Sequence, residues 1–124
     1  MTDHESEAAD VLRAIGMHPK YRGYAYMMRI LRITRDYPER VYCASGELYP
    51  IVANEFGVSI ASVERNVRFA IKRTWECGKK VELKRLFQVY DTDYVPTNCE
   101  FIAVITECLY HKRFDTMLQL TLAL

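Results

Sequence analysis

Three cationic side chains, Arg65, Arg68 and Lys72, recur at intervals of three and four residues in the middle of the chain. A helix turns 100° per residue, so this spacing places all three on one face, following the small residues Ala61 and Ser62. Small side chains let a helix approach the bases, and an arginine can donate two parallel hydrogen bonds to O6 and N7 of a guanine. The pattern predicts a helix that enters the major groove of double-stranded DNA, with Arg65 and Arg68 contacting bases.

Other polar residues around this helix complete the predicted contacts. Glu64 flanks the basic face and can accept a hydrogen bond from a cytosine amino group or orient an arginine, and Ser62 assists. Contacts with phosphates position a protein without specifying sequence. We assign those contacts to residues at the start of the helix, in its second half and just after its end: Ser59, Lys72, Arg73, Lys79 and Lys80. An ordinary amphipathic helix with a solvated basic face is the alternative.

The segment before this helix favours the DNA interpretation. A short helix is predicted there, capped by Ser45, with Pro50 in its first turn, where the missing N–H is not needed. Gly57 is typical of a left-handed helix terminus, and Ser59 can cap the longer helix Ile60–Cys77. A short helix, a tight turn containing glycine and a longer basic helix form the pattern of a helix-turn-helix.

Hydrophobic residues recur at helical spacing through most of the remaining chain. Six helices are predicted in total, and short apolar stretches such as residues 87–90 could form a small strand. We therefore expect one all-α domain over residues 1–124, with its core over about 8–113 and an apolar tail over 114–124. The remaining helices are predicted over residues 7–15, 21–36 and 81–87 and from a cap at Thr97 or Asn98.

Composition narrows the class of protein. Half of the 124 residues are hydrophobic, but no apolar run approaches the roughly 20 residues that cross a bilayer. The net charge is only +1, yet residues 60–85 hold eight Lys and Arg against three acids. The chain has no glycine-rich phosphate loop, nucleophile elbow or zinc-protease motif. The sequence predicts a cytoplasmic protein that is not an enzyme, does not contact membranes and needs no metal or cofactor.

Residues that often mark chemistry receive structural interpretations. The three histidines lie far apart in the sequence and are expected at the surface: His4, His18 and His111. The four cysteines have no C-x-x-C spacing and are expected to be reduced and mostly buried: Cys43, Cys77, Cys99 and Cys108. Cys108 and His111 have metal-compatible spacing, but one such pair supplies too few ligands.

A cluster of tyrosines opens the second predicted helix. Tyr21, Tyr24 and Tyr26 could form a stacking platform for single-stranded nucleic acid, but packing in the core is the favoured interpretation. Tyr24 lies on the apolar stripe of this helix, and Tyr37, just beyond the end of the helix, is a further candidate for the stripe. We expect Tyr21 and Tyr26 to be partly exposed.

The chain resembles the C-terminal effector domain of the sporulation master response regulator of endospore-forming bacteria, the stage 0 sporulation protein A family. The matching stretches run in register from about residue 8 to residue 110. They are Ile15-Gly16, Arg22-Gly23-Tyr24, Leu48-Tyr49-Pro50, Val63-Glu64-Arg65, Arg68, Ala70-Ile71, Trp75, Gly78, Leu86-Phe87, Pro96-Thr97-Asn98 and Glu100-Phe101-Ile102.

The resemblance implies a six-helix domain whose fourth helix binds sites with a TGTCGAA-like core, often as tandem copies that allow self-association on DNA. Glu64, Arg65 and Arg68 match the family's base-reading residues, whereas Ser62 stands where an arginine is common. The family's contact with the RNA polymerase sigma factor maps to the fifth helix. There Phe87 matches, while Glu82 and Lys84 replace small serines.

The receiver domain that precedes the effector domain in this family has no counterpart in the sequence. The chain is expected to be either an excised effector domain or a free-standing relative without phosphorylation control. A different class of function stays open beside DNA binding: a degenerate helix-turn-helix that serves as a protein-interaction module and binds its partner through the apolar tail.

Overall fold

The computed structural model describes residues 3–88 and 94–111, which form six α-helices and contain no strand. The all-α prediction is confirmed. Residues 89–93 and the apolar tail over 114–124 lie outside the described residues, and so does half of the stretch 87–90 proposed as a short strand, whose first residue ends a helix. The helices are α1 (Asp3–Ile15), α2 (Arg22–Asp36), α3 (Tyr49–Phe56), α4 (Ile60–Cys77), α5 (Lys80–Phe87) and α6 (Asn98–His111).

Helix bounds were predicted best where a capping residue marks the end of the helix. Helix α4 has the predicted limits because Ser59 caps its start and Gly78 ends it. Helix α1 begins at Asp3, four residues earlier than predicted, and its acidic N-terminal residues suit the positive end of the helix dipole.

The predicted start of α3 is wrong. A π-helical turn over Ala44–Leu48 occupies the segment assigned to its beginning, and a 3-10 helix over Pro38–Cys43 precedes that turn. Pro50 has no N–H and its ring clashes with the carbonyl four residues earlier, so regular α-helical hydrogen bonds cannot run from Ser45 through Pro50. The regular helix therefore starts at Tyr49. Pro50 itself lies in the first turn, as predicted, and no side chain caps this end.

Helix α4 lies at the centre of the core. Its inner face packs mainly on α2, with further contacts to α3 and α6. The ring of Phe87 lies between Trp75 and Phe101, with ring centroids 5.0 Å and 5.4 Å away. Such aromatic pairs add roughly 1 kcal/mol each beyond the area that they bury. The end of α5 is therefore fixed to the core where α4 and α6 meet.

Several residues lie elsewhere than predicted. Tyr26 is buried against the ring edge of Phe56 rather than partly exposed, whereas Tyr24 is only half-buried. Tyr37 is exposed because it follows the last turn of α2, where the backbone has left helical geometry (φ −134°). His4 is buried rather than at the surface, with its Nε2 3.3 Å from the carbonyl oxygen of Leu31.

The prediction that the cysteines are mostly buried is also wrong for two of them. Cys77 and Cys99 are exposed, because they fall on the outer faces of the last turn of α4 and the first turn of α6. Cys108 is buried, and all three are free thiols.

The closest approach between α2 and α4 occurs at Gly23, which is buried. A Cβ atom placed there would lie 2.2 Å from the carbonyl oxygen of Asn66 and 2.8 Å from the Cβ of Ala70. The first of these is backbone in mid-helix and cannot move without displacing α4. Gly23 therefore sets the distance between the two principal helices of the core.

We predict that Gly23→Ala lowers the free energy of unfolding by about 2–3 kcal/mol, because the added methyl group must push α4 away from α2. Gly46→Ala is the matched control, since a Cβ there meets nothing within 4 Å. It should stay within about 1 kcal/mol of wild type. Urea unfolding followed by circular dichroism measures both. Equal stabilities for the two variants would show that the helices do not depend on this contact.

Candidate nucleic-acid interface

The turn between α3 and α4 has the geometry of a helix-turn-helix. Gly57 adopts the left-handed conformation (φ 67°, ψ 36°), and the N–H of Val58 donates to the carbonyl of Ala53 at 3.0 Å. Ser59 is extended, and its Oγ accepts from the N–H of Ser62 at 3.0 Å. The chain thus ends one helix and caps the next within three residues, as predicted.

Helix α4 has two distinct faces, and its outer face carries Arg65, Arg68 and Lys72 as predicted, whereas Ser62, which was expected there too, is half-buried. Its inner side is almost completely buried and consists of Val63, Val67, Ala70, Ile71, Thr74 and Trp75. Its outer side is exposed and consists of Ala61, Glu64, Arg65, Arg68, Phe69, Lys72 and Glu76. The basic residues selected from the sequence therefore lie on one solvent-facing side of a helix that the core holds in place.

The cations on this face have no partner within the described part of the protein. Arg65, Arg68 and Lys72 make neither an ion pair nor a side-chain hydrogen bond with any residue that the structure describes. The exposed side chain of Lys79 is in the same situation, although its backbone N–H donates to the carbonyl of Ile15 at 3.0 Å. These charges can pair with an external anion without first breaking an internal contact.

Two of the predicted phosphate-binding residues have internal partners instead. Arg73 forms an ion pair with Glu76 at 3.1 Å, and the Tyr21 side chain, with a smaller effect from Glu76, raises the pKa of Arg73. The ammonium group of Lys80 donates to the carbonyl of Trp75 in the last turn of α4. A lysine in that position satisfies a carbonyl that the helix leaves unpaired.

Ser62 is half-buried and already engaged. The amide nitrogen of Asn66 lies 2.8 Å from the Ser62 carbonyl oxygen and 3.3 Å from its hydroxyl oxygen. Both contacts lie within the first two turns of α4, beside the exposed Arg65. The serine hydroxyl therefore supports the start of this helix as well as lying close to its outer face.

A contact from α6 holds the first half of α4 and was not predicted from the sequence. The Asn98 side chain is buried and donates to the carbonyl of Glu64 at 3.2 Å. Burial also raises the pKa of Tyr49 in α3, an effect that the adjacent Asn98 amide opposes. One asparagine therefore links α6 to α4 next to α3. The sequence marked Asn98 as a candidate helix cap, but nothing in it indicated the contact with α4.

That cap is Thr97, one of the two predicted candidates. Its Oγ1 accepts from the N–H of Glu100, and the Glu100 carboxylate accepts from the N–H of Thr97, both at 3.1 Å. This reciprocal pair is a capping box. The hydrogen bond from the Thr97 backbone, aided by the hydroxyl of Tyr94, lowers the pKa of Glu100. The start of α6 is therefore fixed where Asn98 reaches α4.

Comparison with known families assigns this arrangement. The family described as Sporulation initiation factor Spo0A C terminal matches residues 8–109, which include α2 to α5 with the helix-turn-helix and most of α1 and α6. The chain belongs to this family. The Spo0A C-terminal family is a family of DNA-binding domains from sporulation transcription regulators, not a catalytic family. The basic face of α4 is thus the outer face of the second helix in a DNA-binding helix-turn-helix.

Among the described residues of this Spo0A C-terminal domain, no helix is both long enough and apolar enough to cross a membrane. The three residues that resemblance places at a polymerase contact differ in their surroundings. Lys84 is exposed on α5 and Glu82 is half-buried. Phe87 packs between Trp75 and Phe101 and so belongs largely to the core.

An ion pair fixes the first helix of the helix-turn-helix to the rest of the domain. Arg29 of α2 donates two hydrogen bonds to the carboxylate of Glu55 in α3, at 2.5 Å and 2.7 Å. Both side chains are about one-third exposed. The hydrogen bonds from Arg29 lower the pKa of Glu55. A two-point contact of this kind restrains the orientation of α3 as well as its distance from α2.

We predict that a double-mutant cycle with Arg29→Met and Glu55→Gln gives a coupling energy of about 0.5–1 kcal/mol at pH 7, a range that allows for solvent screening. Since the folded-state pKa of Glu55 lies below the ordinary value of 4.5, the coupling should persist down to about that pH. It should disappear as the pH falls through the lowered pKa. Denaturant unfolding at several pH values measures it. A coupling that does not change with pH would contradict the ion pair.

Proposed function

We propose that α4 lies in the major groove of double-stranded DNA and recognises a short site, so that this domain regulates transcription from specific promoters. The observation that supports this most strongly is the set of exposed cations on α4, Arg65, Arg68 and Lys72, which have no internal partner among the described residues. The two carboxylates on this face do not pair with these cations: Glu76 pairs with Arg73, and Glu64 forms no ion pair with any described residue. Here the arginines follow one small exposed residue, Ala61, which allows close approach to the bases.

Residues in the first half of α4 are proposed to read the bases. Arg65 and Arg68 would each donate to a guanine, and Glu64 would accept from a cytosine amino group or orient an arginine. A site with a TGTCGAA-like core follows from the resemblance of these three residues to the family pattern. Ser62 stands where an arginine is common in the family. Because Asn66 already hydrogen-bonds to it, Ser62 is proposed to stabilise the start of α4 rather than to contact a base directly.

Residues at the ends of the interface are proposed to bind phosphates. Ser59, Lys72 and Lys79 are exposed and can do so directly. Arg73 and Lys80 must exchange Glu76 and the Trp75 carbonyl, respectively, for a phosphate, so we expect smaller contributions from them. Tandem copies on DNA and a sigma-factor contact through Glu82, Lys84 and Phe87 are further proposals. The cytoplasm, where bacterial DNA lies, is the proposed location.

One observation favours the alternative of a protein-interaction module. Phe56 and Ile60 are 45% exposed, on either side of the turn between the two helices. Exposed apolar side chains can form part of a protein interface. Salt-sensitive binding to duplex DNA separates the two functions, since an apolar protein contact would depend little on ionic strength.

We predict that Arg65→Ala and Arg68→Ala each cost about 1–3 kcal/mol on the preferred duplex and reduce discrimination at one base pair. Lys72→Ala should instead weaken binding to all duplexes by a similar factor and reduce the slope of log affinity against log salt concentration by about one. Fluorescence anisotropy on the preferred duplex and on single-base variants measures these effects.

Lys72→Ala thus serves as the internal control for base reading. If both arginine variants also weakened all duplexes equally, α4 would supply only general affinity for DNA. If none of the three variants changed DNA binding, the protein-interaction alternative would be favoured.

A further inference from the structure

A second basic surface lies at the start of α2, outside the helix-turn-helix. It consists of Lys20 and Arg22, both exposed, with Tyr21 between them. The Nζ of Lys20 is 5.5 Å from the centre of the Tyr21 ring. No acidic residue occurs in the first turn of α2, nor anywhere from residue 11 to residue 35. The positive charge of this surface therefore has no neighbouring carboxylate within its own stretch of chain.

One aromatic contact joins this surface to the outer face of α4. The ring of Tyr21 meets the ring of Phe69 edge to face, with centroids 5.8 Å apart. Phe69 is 52% exposed and lies on the same side of α4 as Arg68 and Lys72. The surface of Lys20 and Arg22 is thus continuous with the proposed DNA-binding face through an aromatic pair.

The backbone fixes the position of this surface relative to α4. Gly23 directly follows Arg22 and lies against the Asn66 carbonyl and the Ala70 side chain, at the middle of α4. The N-terminal turn of α2 must therefore flank the recognition helix at mid-length. When a helix occupies the major groove, the structures flanking it face the phosphates that border the groove.

We propose that Lys20 and Arg22 bind phosphates of the DNA strand that borders the groove beside α4, a contact site separate from the helix-turn-helix. This proposal rests on the proposed function, because the same duplex must occupy both surfaces. The ligand is the sugar-phosphate backbone and not a base edge. These side chains lie beside the groove-entering helix, whose own residues occupy the groove.

The charge pattern of the domain supports this choice of ligand. The two arginines in the middle of α2 are paired: Arg29 with Glu55, and Arg32 with Glu5 at 2.6 Å. Lys20 and Arg22 form no ion pair with any residue that the structure describes, as is also true of Arg65, Arg68 and Lys72 on α4. Unpaired positive charge at the start of α2 thus lies beside the unpaired cations of α4, as a continuous polyanion requires, whereas the exposed Arg35 lies at the far end of α2.

Arg22→Ala tests the proposal, with Arg35→Ala as the matched control. Arg35 is an exposed arginine of the same helix, but it lies in the last turn, at the end opposite Arg22. Affinity for the preferred duplex is measured by fluorescence anisotropy over a range of salt concentrations. Each phosphate contact contributes about 0.9 to the slope of log affinity against log salt concentration. Circular dichroism and thermal unfolding verify that both variants are folded.

We expect Arg22→Ala to reduce that slope by about one and to weaken preferred and mismatched duplexes by the same factor. Lys20→Ala should act in the same direction, Arg22→Lys should retain the wild-type slope, and Arg35→Ala should match wild type. Ethylation of a contacted phosphate should interfere with binding of the wild-type protein. Arg22→Ala and Lys72→Ala should each lose this interference, but at different phosphates.

Each other outcome overturns the proposal in a recognisable way. If Arg22→Ala keeps the wild-type slope while the α4 variants lose affinity, DNA binding stands and the second surface does not contact the duplex. If Arg22→Ala changes preference at a base pair, Arg22 reads sequence instead. If wild type shows no salt-dependent duplex binding, the proposed function fails and this proposal fails with it.

Discussion

The close packing of α4 against α2 is the contact on which the rest of the structure depends. Gly23 lets the two backbones approach to a distance that any side chain would prevent, and Ala70 faces it across the interface. This contact buries one side of α4 completely and leaves the other side in solvent. Position and orientation of the outer face therefore follow from the apolar core, and its residues can be selected for binding rather than for stability.

Electrostatics give that outer face its character. The net charge is only +1, yet the described carboxylates are not spread evenly among the cations. Three ion pairs between an arginine and a glutamate lie outside α4: Arg29–Glu55, Arg32–Glu5 and Arg40–Glu47. A fourth, Arg73–Glu76, lies near the C-terminal end of α4. The cations that remain unpaired on α4 are at its exposed centre. A nearly neutral chain can thus present a locally positive surface to a polyanion.

Local signals in the sequence predicted the helix-turn-helix well, because Gly57 and Ser59 fix their own backbone geometry. The start of α3 could not be predicted, since Pro50 excludes regular helix before it without specifying what replaces it. Long-range contacts were equally inaccessible: the buried Asn98 that holds α4 is 34 residues from Glu64. The sequence also placed Arg73 among the phosphate-binding residues, because a spacing of three residues permits the pair with Glu76 but does not show that it forms.

The central claim is that α4, positioned by the core, reads DNA sequence through its unpaired cations. Selection of duplexes from a random pool by the purified wild-type protein tests it most directly. Enrichment should converge on one short motif, and protection of the enriched duplex should centre on a single major-groove segment. Guanines should occupy at least one position that Arg65→Ala no longer selects, because arginine is the preferred partner of guanine O6 and N7. Retention of duplexes without any enriched motif would contradict sequence reading by α4, and absence of retention at low salt would contradict DNA binding itself.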